Sequence, residues 1–562
     1  MDRNTLLAFF LIALVLLFWP KYMETFSPQT TSQKTHTRQE ENPQNPDTTN
    51  SETRNKTNTA KIAKLEDTTE TTAPKHKEVV SIIETPLYTA RFSSLNGGSI
   101  QEFELKKFMS IRTDSLGSVD SQMVNTIAKN RNSNLGIELQ DLNGDPIHLG
   151  LNWELNLEPS MLISRSPKTL KYKLEVFKNK HIIKTLTFHQ DNYNIDIDID
   201  FSEIKEFIYR DVKFSWRGGM ASTENDSVED KSYFKAVVYQ GNELEELKIN
   251  KGKNETKKLI GATDWAAIRT KYFVTAFIPK KPETIRYTEL FGHSAKQENY
   301  GMAFAFDCFQ ESSFTLYHGP LEYEKIKTFN VGLDEIMDFG WGFIRPISKG
   351  VLFSLKRIHD YIPNYGVVLI VFSILVKILV FPLTKKSYQS TAAMQEIQPE
   401  VSALREKHKN NPQKLNQATM ELYKKRGVNP LGGCLPMLLQ MPLLFALFQV
   451  FRTTIELRNE PFVWWIKDLS SPDIIIPLSF EIPLYGDHIA FLPILMALST
   501  YVQQKMMSGG VQQPQQKMMQ NFMMVFFFLI FNNFPSGLNL YYTLFNILTI
   551  AQQKLLPAKP AD

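Results

Sequence analysis

The sequence predicts an α-helical polytopic membrane protein, a five-span core plus an N-terminal anchor span, carrying a large all-β domain outside the membrane. Three observations predict it. Residues 365–383, YGVVLIVFSILVKILVFPL, form an apolar run with Lys377 inside it, and a membrane-crossing helix needs about 20 mostly apolar residues. Residues 79–330 show period-two alternation instead, the mark of half-buried strands. At the far end, Asn539, Tyr542, Thr543, Asn546, Thr549 and Gln553 recur every three or four residues within an apolar stretch. That spacing draws a polar stripe down one helix face. Such a stripe facing lipid would be costly.

The totals set bounds. At 562 residues the chain exceeds one compact domain. A net charge of +4 gives no sign of a nucleic-acid partner. The two cysteines, Cys308 and Cys434, form neither a disulfide framework nor a zinc pattern. The ten histidines are scattered, none at metal-ligand spacing with another. There is no phosphate-binding glycine loop, no H-E-x-x-H and no nucleophile elbow. No cofactor, metal or catalytic residue is expected.

In chain order, residues 1–26 hold the apolar run TLLAFFLIALVLLFW behind Arg3, followed by Pro20 and Lys21 with no small-residue cleavage site. They read as an uncleaved transmembrane anchor. Residues 27–78 are rich in Thr, Asn, Gln, Ser and Pro, too polar to offset their ordering entropy, and read as a flexible linker. In 79–330, Ile195, Ile197, Ile199 and Phe201 alternate with Asp196, Asp198 and Asp200. Tyr172, Leu174 and Val176 alternate with Lys173 and Glu175, and Trp153, Leu155 and Leu157 with Glu154 and Asn156. Turn signals at 96–98, 143–145 and 217–219 separate the strands. Many strands without intervening helices imply a large antiparallel sandwich. Alternation sends the three aspartates to the solvent face, so they read as a solvated edge rather than a cation site. Residues 141–145 read as a turn rather than a calcium loop.

Residues 334–362 carry Ile336, Phe339, Phe343, Ile347, Val351, Leu355 and Ile358 at helical spacing. They suit an amphipathic helix on the membrane surface or one packed under the sandwich. The core follows at 363–556, with spans near 363–383, 435–455, 489–504, 518–534 and 538–556. Between the first two, 384–430 is a polar helical hairpin broken at Asn410-Asn411-Pro412, with Lys385, Lys386, Arg405, Lys424, Lys425 and Arg426 among its cations. The positive-inside tendency puts it in the cytoplasm. The acidic 456–488 loop lies outside, and 557–562 is a short cytoplasmic tail. Both termini are then cytoplasmic.

A charge inside a span costs roughly 2.5–3.5 kcal/mol. Lys377 either snorkels to headgroups from a nearby helix end, marked by Pro382 and Thr384, or lines a wet cavity with Ser373 and Thr384 on its face. Gln440 and the terminal stripe favour a hydrophilic concavity.

Four segments carry a resemblance: FPLTKKSYQSTAAMQEIQPE (381–400), VNPLGGCLPMLLQMP (428–442), ELR (456–458) and FPSGLNLYY (534–542). In this order they resemble the YidC/Oxa family of membrane protein insertases, in the bacterial form with a large periplasmic domain. The resemblance implies a periplasmic super-sandwich similar to sugar-mutarotase folds and a location in the Gram-negative inner membrane. It implies a water-filled groove, open to cytoplasm and lipid, whose charge is usually arginine and is here Lys377. The groove lining would be Ser373, Gln440, Asn539, Tyr542, Thr543 and Asn546. The substrate path along the third and fifth spans points to Met441, Leu444 and Met524. Implied partners are nascent membrane proteins, the Sec translocon and the lipid bilayer, with ribosome or signal-recognition machinery meeting the basic hairpin and no direct nucleic acid. The implied activity is insertase and chaperone, not enzyme. An alternative is a solute transporter using Lys377 as an anion site.

Overall fold

The computed structural model describes residues 77–555 except 114–118, 129–133, 156–159, 163–166, 226, 250–252, 295–297, 410, 428–434 and 508–513. The expected anchor, most of the linker, the tail, Cys434 and Leu157 lie outside the described residues.

The period-two segments form three sheets. The largest runs Glu243–Glu246, Lys235–Gln240, Trp265–Arg269, Phe273–Pro279, Ser313–Pro320, Asn194–Asp200, Lys180–Phe188, Lys168–Phe177 and Glu154–Leu155, antiparallel throughout. A second runs Asn254–Ile260, Ile285–Ser294, Glu298–Asp307, Asp211–Trp216, Gly136–Gln140 and Pro146–Ile147. A third runs Val119–Asn125, Ser99–Thr113, Tyr88–Ser93, Val80–Glu84 and Ser160–Leu162, whose last pairing is parallel. Directly paired residues share a sheet face. Phe188 pairs with Ile195, and Phe314 with Ile197, so all four point the same way. Phe314 meets Phe214 of the second sheet and Phe188 meets Phe92 of the third, at ring distances of 5.1 and 5.0 Å. Both smaller sheets therefore cover one face of the large one. Trp153 and Trp216 are fully buried between these sheets, and Trp265 is fully buried on the other face of the large sheet, where its indole donates to the Val331 carbonyl, each contributing roughly 1.5–3 kcal/mol by burial.

Alternation holds at Asp196, Asp198 and Asp200, which leave the core face to Ile195, Ile197 and Ile199. Asp196 accepts from Thr315 and Asp198 from Ser313 across the strand pair. Asp141 accepts from the Asn143 and Asp145 amides, which makes the segment a turn and holds its carboxyl below the usual carboxylate range. Gly98, at φ +104°, faces Tyr172 and Leu186, and a Cβ there would lie 2.8 Å from the Tyr172 ring.

The helices are α1 Ser227–Ser232, α2 Tyr323–Lys327, α3 Arg345–His359, α4 Tyr365–Glu396, α5 Gln398–Lys407, α6 Pro412–Lys425, α7 Leu435–Thr453, α8 Leu492–Met507, α9 Pro514–Phe531 and α10 Ser536–Leu555. Three differences from expectation have physical causes. The helix expected over 334–362 begins only at Arg345. Pro346 suits a first helical turn, while Ile336 and Phe339 are buried upstream, where the chain crosses the large sheet and the Ile336 carbonyl accepts from Arg269. The helix expected to end near 383 continues through Pro382 to Glu396, which places 384–396 in α4 and leaves α5 and α6 as the hairpin. Asn411 caps α6 by accepting from the Lys414 amide. The span expected from 489 starts at Leu492, because Ile489 and Ala490 belong to a two-stranded ribbon, Ile474–Ile482 with Gly486–Ala490.

Candidate functional site

Helix α4 carries a feature foreign to a water-soluble protein. Among its exposed residues are Val367, Ile374, Leu375, Ile378, Leu379 (75% exposed) and Phe381, while Ser373, Lys377, Thr384 and Ser387 are buried alongside Val368, Leu369, Phe372 and Val376. In water, long apolar side chains go inside and lysine almost never does. The same inversion recurs on α10, where Ile547 is exposed and Asn539, Thr543, Asn546, Thr549 and Gln552 are buried. It recurs on α8, with Leu498 exposed and Ser499 buried. Helices α4, α8 and α10 pack with these polar faces inward.

Lys377 is 9% exposed. Its Nζ donates to Thr549 Oγ1 at 2.7 Å and lies 4.3 Å from the centre of the Phe545 ring. Thr549 passes its own hydroxyl proton to the Phe545 carbonyl at 2.7 Å. The amine therefore turns sideways onto α10. Helix α4 continues about five more turns past Lys377, while its apolar window ends at Pro382.

The remaining lining is partly gathered and partly self-satisfied. Asn546 Nδ2 donates to Ser499 and Thr500 at 3.1 and 2.9 Å, joining α10 to α8. Asn539 donates to the Phe531 and Phe534 carbonyls. Ser373 and Thr543 each donate to the carbonyl four residues back, the usual refuge of a hydroxyl in a membrane helix. Asn539 lies ten residues before Thr549 on α10, about 15 Å along the axis, so the stripe spans several levels rather than one site. Gln440 and Tyr542 are half-buried, as are Met441, Leu444 and Met524. Gln552, rather than Gln553, is the buried glutamine, and neither of its amide atoms has a hydrogen-bond partner among the described residues. Both glutamines fit the three-or-four spacing. Of the hairpin cations, Lys385, Lys424, Lys425 and Arg426 are exposed and Arg405 is half-buried. Lys386 lies within α4, and its side chain is outside those described. Arg426 pairs with Glu400 at 2.5 Å, tying α6 to α5. Gln395 donates to the Met506 carbonyl and joins the far ends of α4 and α8.

A second polar cluster was not visible in the sequence. Arg458, after α7, donates through Nε to both carboxylate oxygens of Glu224, at 2.9 and 3.0 Å, and through Nη1 to the Met109 carbonyl. Glu456 pairs with Lys356 of α3 at 3.1 Å. The ELR segment thus joins helical core to sandwich on one side and to α3 on the other, with Leu457 buried between. Burial pushes the Glu224 carboxyl up, against the opposing pull of Arg458.

Among the described residues, no cluster of His, Cys, Asp or Glu could hold a metal ion. One helical window there, Tyr365–Pro382, is long and apolar enough to cross a membrane by length and composition. Helix α8 spans only 16 residues, and α10 dilutes its apolar positions with the stripe. A β-sandwich joined to helices whose polar residues face one another, and whose apolar residues face out, defines an integral membrane protein with an extramembrane domain.

Comparison with known proteins narrows this class. Residues 357–560 match the family model of the 60Kd inner membrane protein, and residues 81–349 match that of the YidC periplasmic domain. A membrane protein insertase YidC from Chlorobaculum parvum is 32% identical over 100% of this chain and 95% of its own length. One from Prosthecochloris aestuarii is 35% identical over 98% and 94%. A solved YidC insertase with its first transmembrane domain resolved aligns over 85% of this chain and 95% of that one, at 16% identity and a TM-score of 0.36. The chain belongs to the YidC membrane protein insertase family.

Proposed function

We propose that this chain inserts newly made proteins into the inner membrane and helps them fold, alone or with the Sec translocon. The topology we propose has six spans, with α4, α7, α8, α9 and α10 as the core. Residues 1–26 form the anchor, 27–78 a linker, 79–330 the periplasmic domain, and 557–562 a tail. Both termini and the α5–α6 hairpin are cytoplasmic. The observation that carries the mechanism is Lys377, a buried cation facing Thr549 across two helices. A short polar outer segment of a client, acidic above all, exchanges with Thr549 for the amine. Hydroxyls and amides of the α8–α10 interior lower the cost of carrying that segment part-way across. The client's apolar helix then moves along Met441, Leu444 and Met524 into lipid, where burial of about 20 residues supplies the driving free energy. The exposed hairpin cations face the cytoplasm and receive ribosome or signal-recognition machinery. Clients with long or strongly charged outer segments require the Sec translocon.

The test is insertion of a short single-span client into proteoliposomes. Lys377→Arg should retain insertion and Lys377→Ala should lose it. Equal insertion by Lys377→Ala and the parent chain would remove the charge from the mechanism.

A further inference from the structure

The ribbon between α7 and α8 is unlike any other described strand pair in this chain. In Ile474–Ile482, sequence IIIPLSFEI, the residues Ile474 (51% exposed), Ile475, Ile476 and Phe480 (61%) are all open, on both faces of the strand, and Leu484 follows in the turn. Among the described residues the strand pairs only with Gly486–Ala490, and no strand pairs with its other edge. A lone two-stranded ribbon is marginal in water, and an open apolar edge there invites aggregation. Nearby, Trp464 is 88% exposed. Trp464 and Leu484 are bulky residues held in the left-handed region, at φ 48° and 69°, a conformation costing about 1–3 kcal/mol.

The ribbon is nevertheless firmly rooted. Fully buried Asn532, just past the end of α9, accepts from the Ala490 amide and donates to the Tyr485 and His488 carbonyls, both at 2.7 Å. His488 Nε2 lies 3.1 Å from the Asn532 carbonyl. Asp473 accepts from the Leu492 amide at the start of α8 and from the Trp465 indole. Tyr485 packs on Phe528, one turn inside α9, with ring centres 5.6 Å apart. These contacts lay the ribbon across the outer ends of α8 and α9, beside their exposed Ile494, Leu498 and Val525.

We propose that this ribbon is a lipid-binding element. Its isoleucines and Phe480 sit among the upper acyl chains of the outer leaflet, continuous with the lipid-facing sides of α8 and α9. Trp464 marks the headgroup level, where indoles concentrate. The ribbon's charges, Glu481 and Asp487, are both exposed, which sets its depth at the headgroup boundary rather than deeper. The ribbon then wedges the outer leaflet beside the polar interior of the core. This inference rests on the reading that α4, α8 and α9 cross a bilayer.

The test uses the full chain in phosphatidylcholine–phosphatidylglycerol liposomes, in a Cys308→Ser/Cys434→Ser background. A bimane label is placed at Ile476→Cys, Phe480→Cys, Leu379→Cys or Glu243→Cys. Brominated phosphatidylcholine should quench positions 476 and 480 about as strongly as 379, and iodide should quench only 243. If 379 is lipid-quenched while 476 and 480 respond to iodide like 243, or to neither quencher, the ribbon stands in water or against protein and the proposal falls alone. If 379 itself is not lipid-quenched, the membrane placement of α4 fails and the proposal falls with it.

Discussion

Removing Arg458 should undock the sandwich from the helical core locally without unfolding either. The Arg458 side chain is 2% exposed and that of Glu224 is 16%. Truncating one partner of a buried pair strands the other charge and costs about 3–5 kcal/mol. The partial exposure of Glu224 puts Arg458→Ala near the lower end, about 3 kcal/mol, which is roughly a hundredfold in a local opening constant. Arg458→Lys keeps the charge but loses the fork that reaches Glu224 and Met109 together, so it should cost about 1–2 kcal/mol. The pair itself gains little over apolar contact, because burial outweighs Arg458 in setting the Glu224 carboxyl. Arg458→Met/Glu224→Leu should therefore restore most of the loss. The assay is hydrogen exchange of the full chain in nanodiscs. It follows peptides covering 454–460, where the Arg458 amide donates to the Ile455 carbonyl and the Asn459 amide to Asp468. Protection should fall roughly a hundredfold in Arg458→Ala and recover to within about tenfold in the apolar double variant. If Arg458→Ala and Glu224→Ala simply add in the combined variant, with coupling below about 0.5 kcal/mol, the two charges do not act as a pair and the reasoning fails.

Three further outcomes follow from single contacts. His318, buried between the Thr126 and Thr275 hydroxyls and stacked on Trp216, is pushed down to about 3 by desolvation. A depressed folded value means the folded state binds fewer protons below pH 6.5, so stability is lost as pH falls from 6.5 toward 3. By linkage the loss reaches roughly 3 kcal/mol by pH 4. His318→Gln should flatten that slope in sandwich unfolding followed by tryptophan fluorescence, and an unchanged slope would acquit the histidine. Gly537→Ala places a Cβ 2.4 Å from the Phe451 ring and 3.0 Å from the Leu469 carbonyl. It should lower thermal stability in detergent by about 1–3 kcal/mol, with partial rescue by Phe451→Leu. Asn532→Leu removes the ribbon's buried root and should raise hydrogen exchange across 484–490 at least tenfold, an estimate of about 2 kcal/mol for the stranded Ala490 amide and the Tyr485 and His488 carbonyls.

The periodic features were legible because they are local. Ile195, Ile197 and Ile199 state their common face within five residues, and the buried stripe of α10 was readable from intervals of three and four. Lys377 drew attention because its apolar neighbours made it conspicuous. Where the reading slipped, a second partner decided. Pro382 reads as a helix end in isolation, yet α4 continues, since a proline missing one backbone donor is tolerated when neighbouring groups satisfy the freed carbonyl. Gln552 and Gln553 differ by one position, and only the packing of α10 against its neighbours selects the first.

The pairs the sequence concealed are the long-range ones. Arg458 and Glu224 lie 234 positions apart, and nothing near either residue announces the other. The same holds for Asn532 and the ribbon it roots, 42 to 47 positions upstream. Both devices sit at helix ends, where a segment can be neither wholly apolar nor wholly polar, so composition there carries little signal. They also bear differently on the core. The Arg458 dock fixes the sandwich over α7 and α3. The Asn532 root fixes the ribbon over α8 and α9, and α8 carries Ser499 and Thr500, the partners of Asn546 on α10. Loosening the ribbon should therefore disturb the polar interior more than loosening the sandwich does. Insertion of a short client should fall further in Asn532→Leu than in Arg458→Ala, and the reverse order would place the sandwich, not the ribbon, in control of the core.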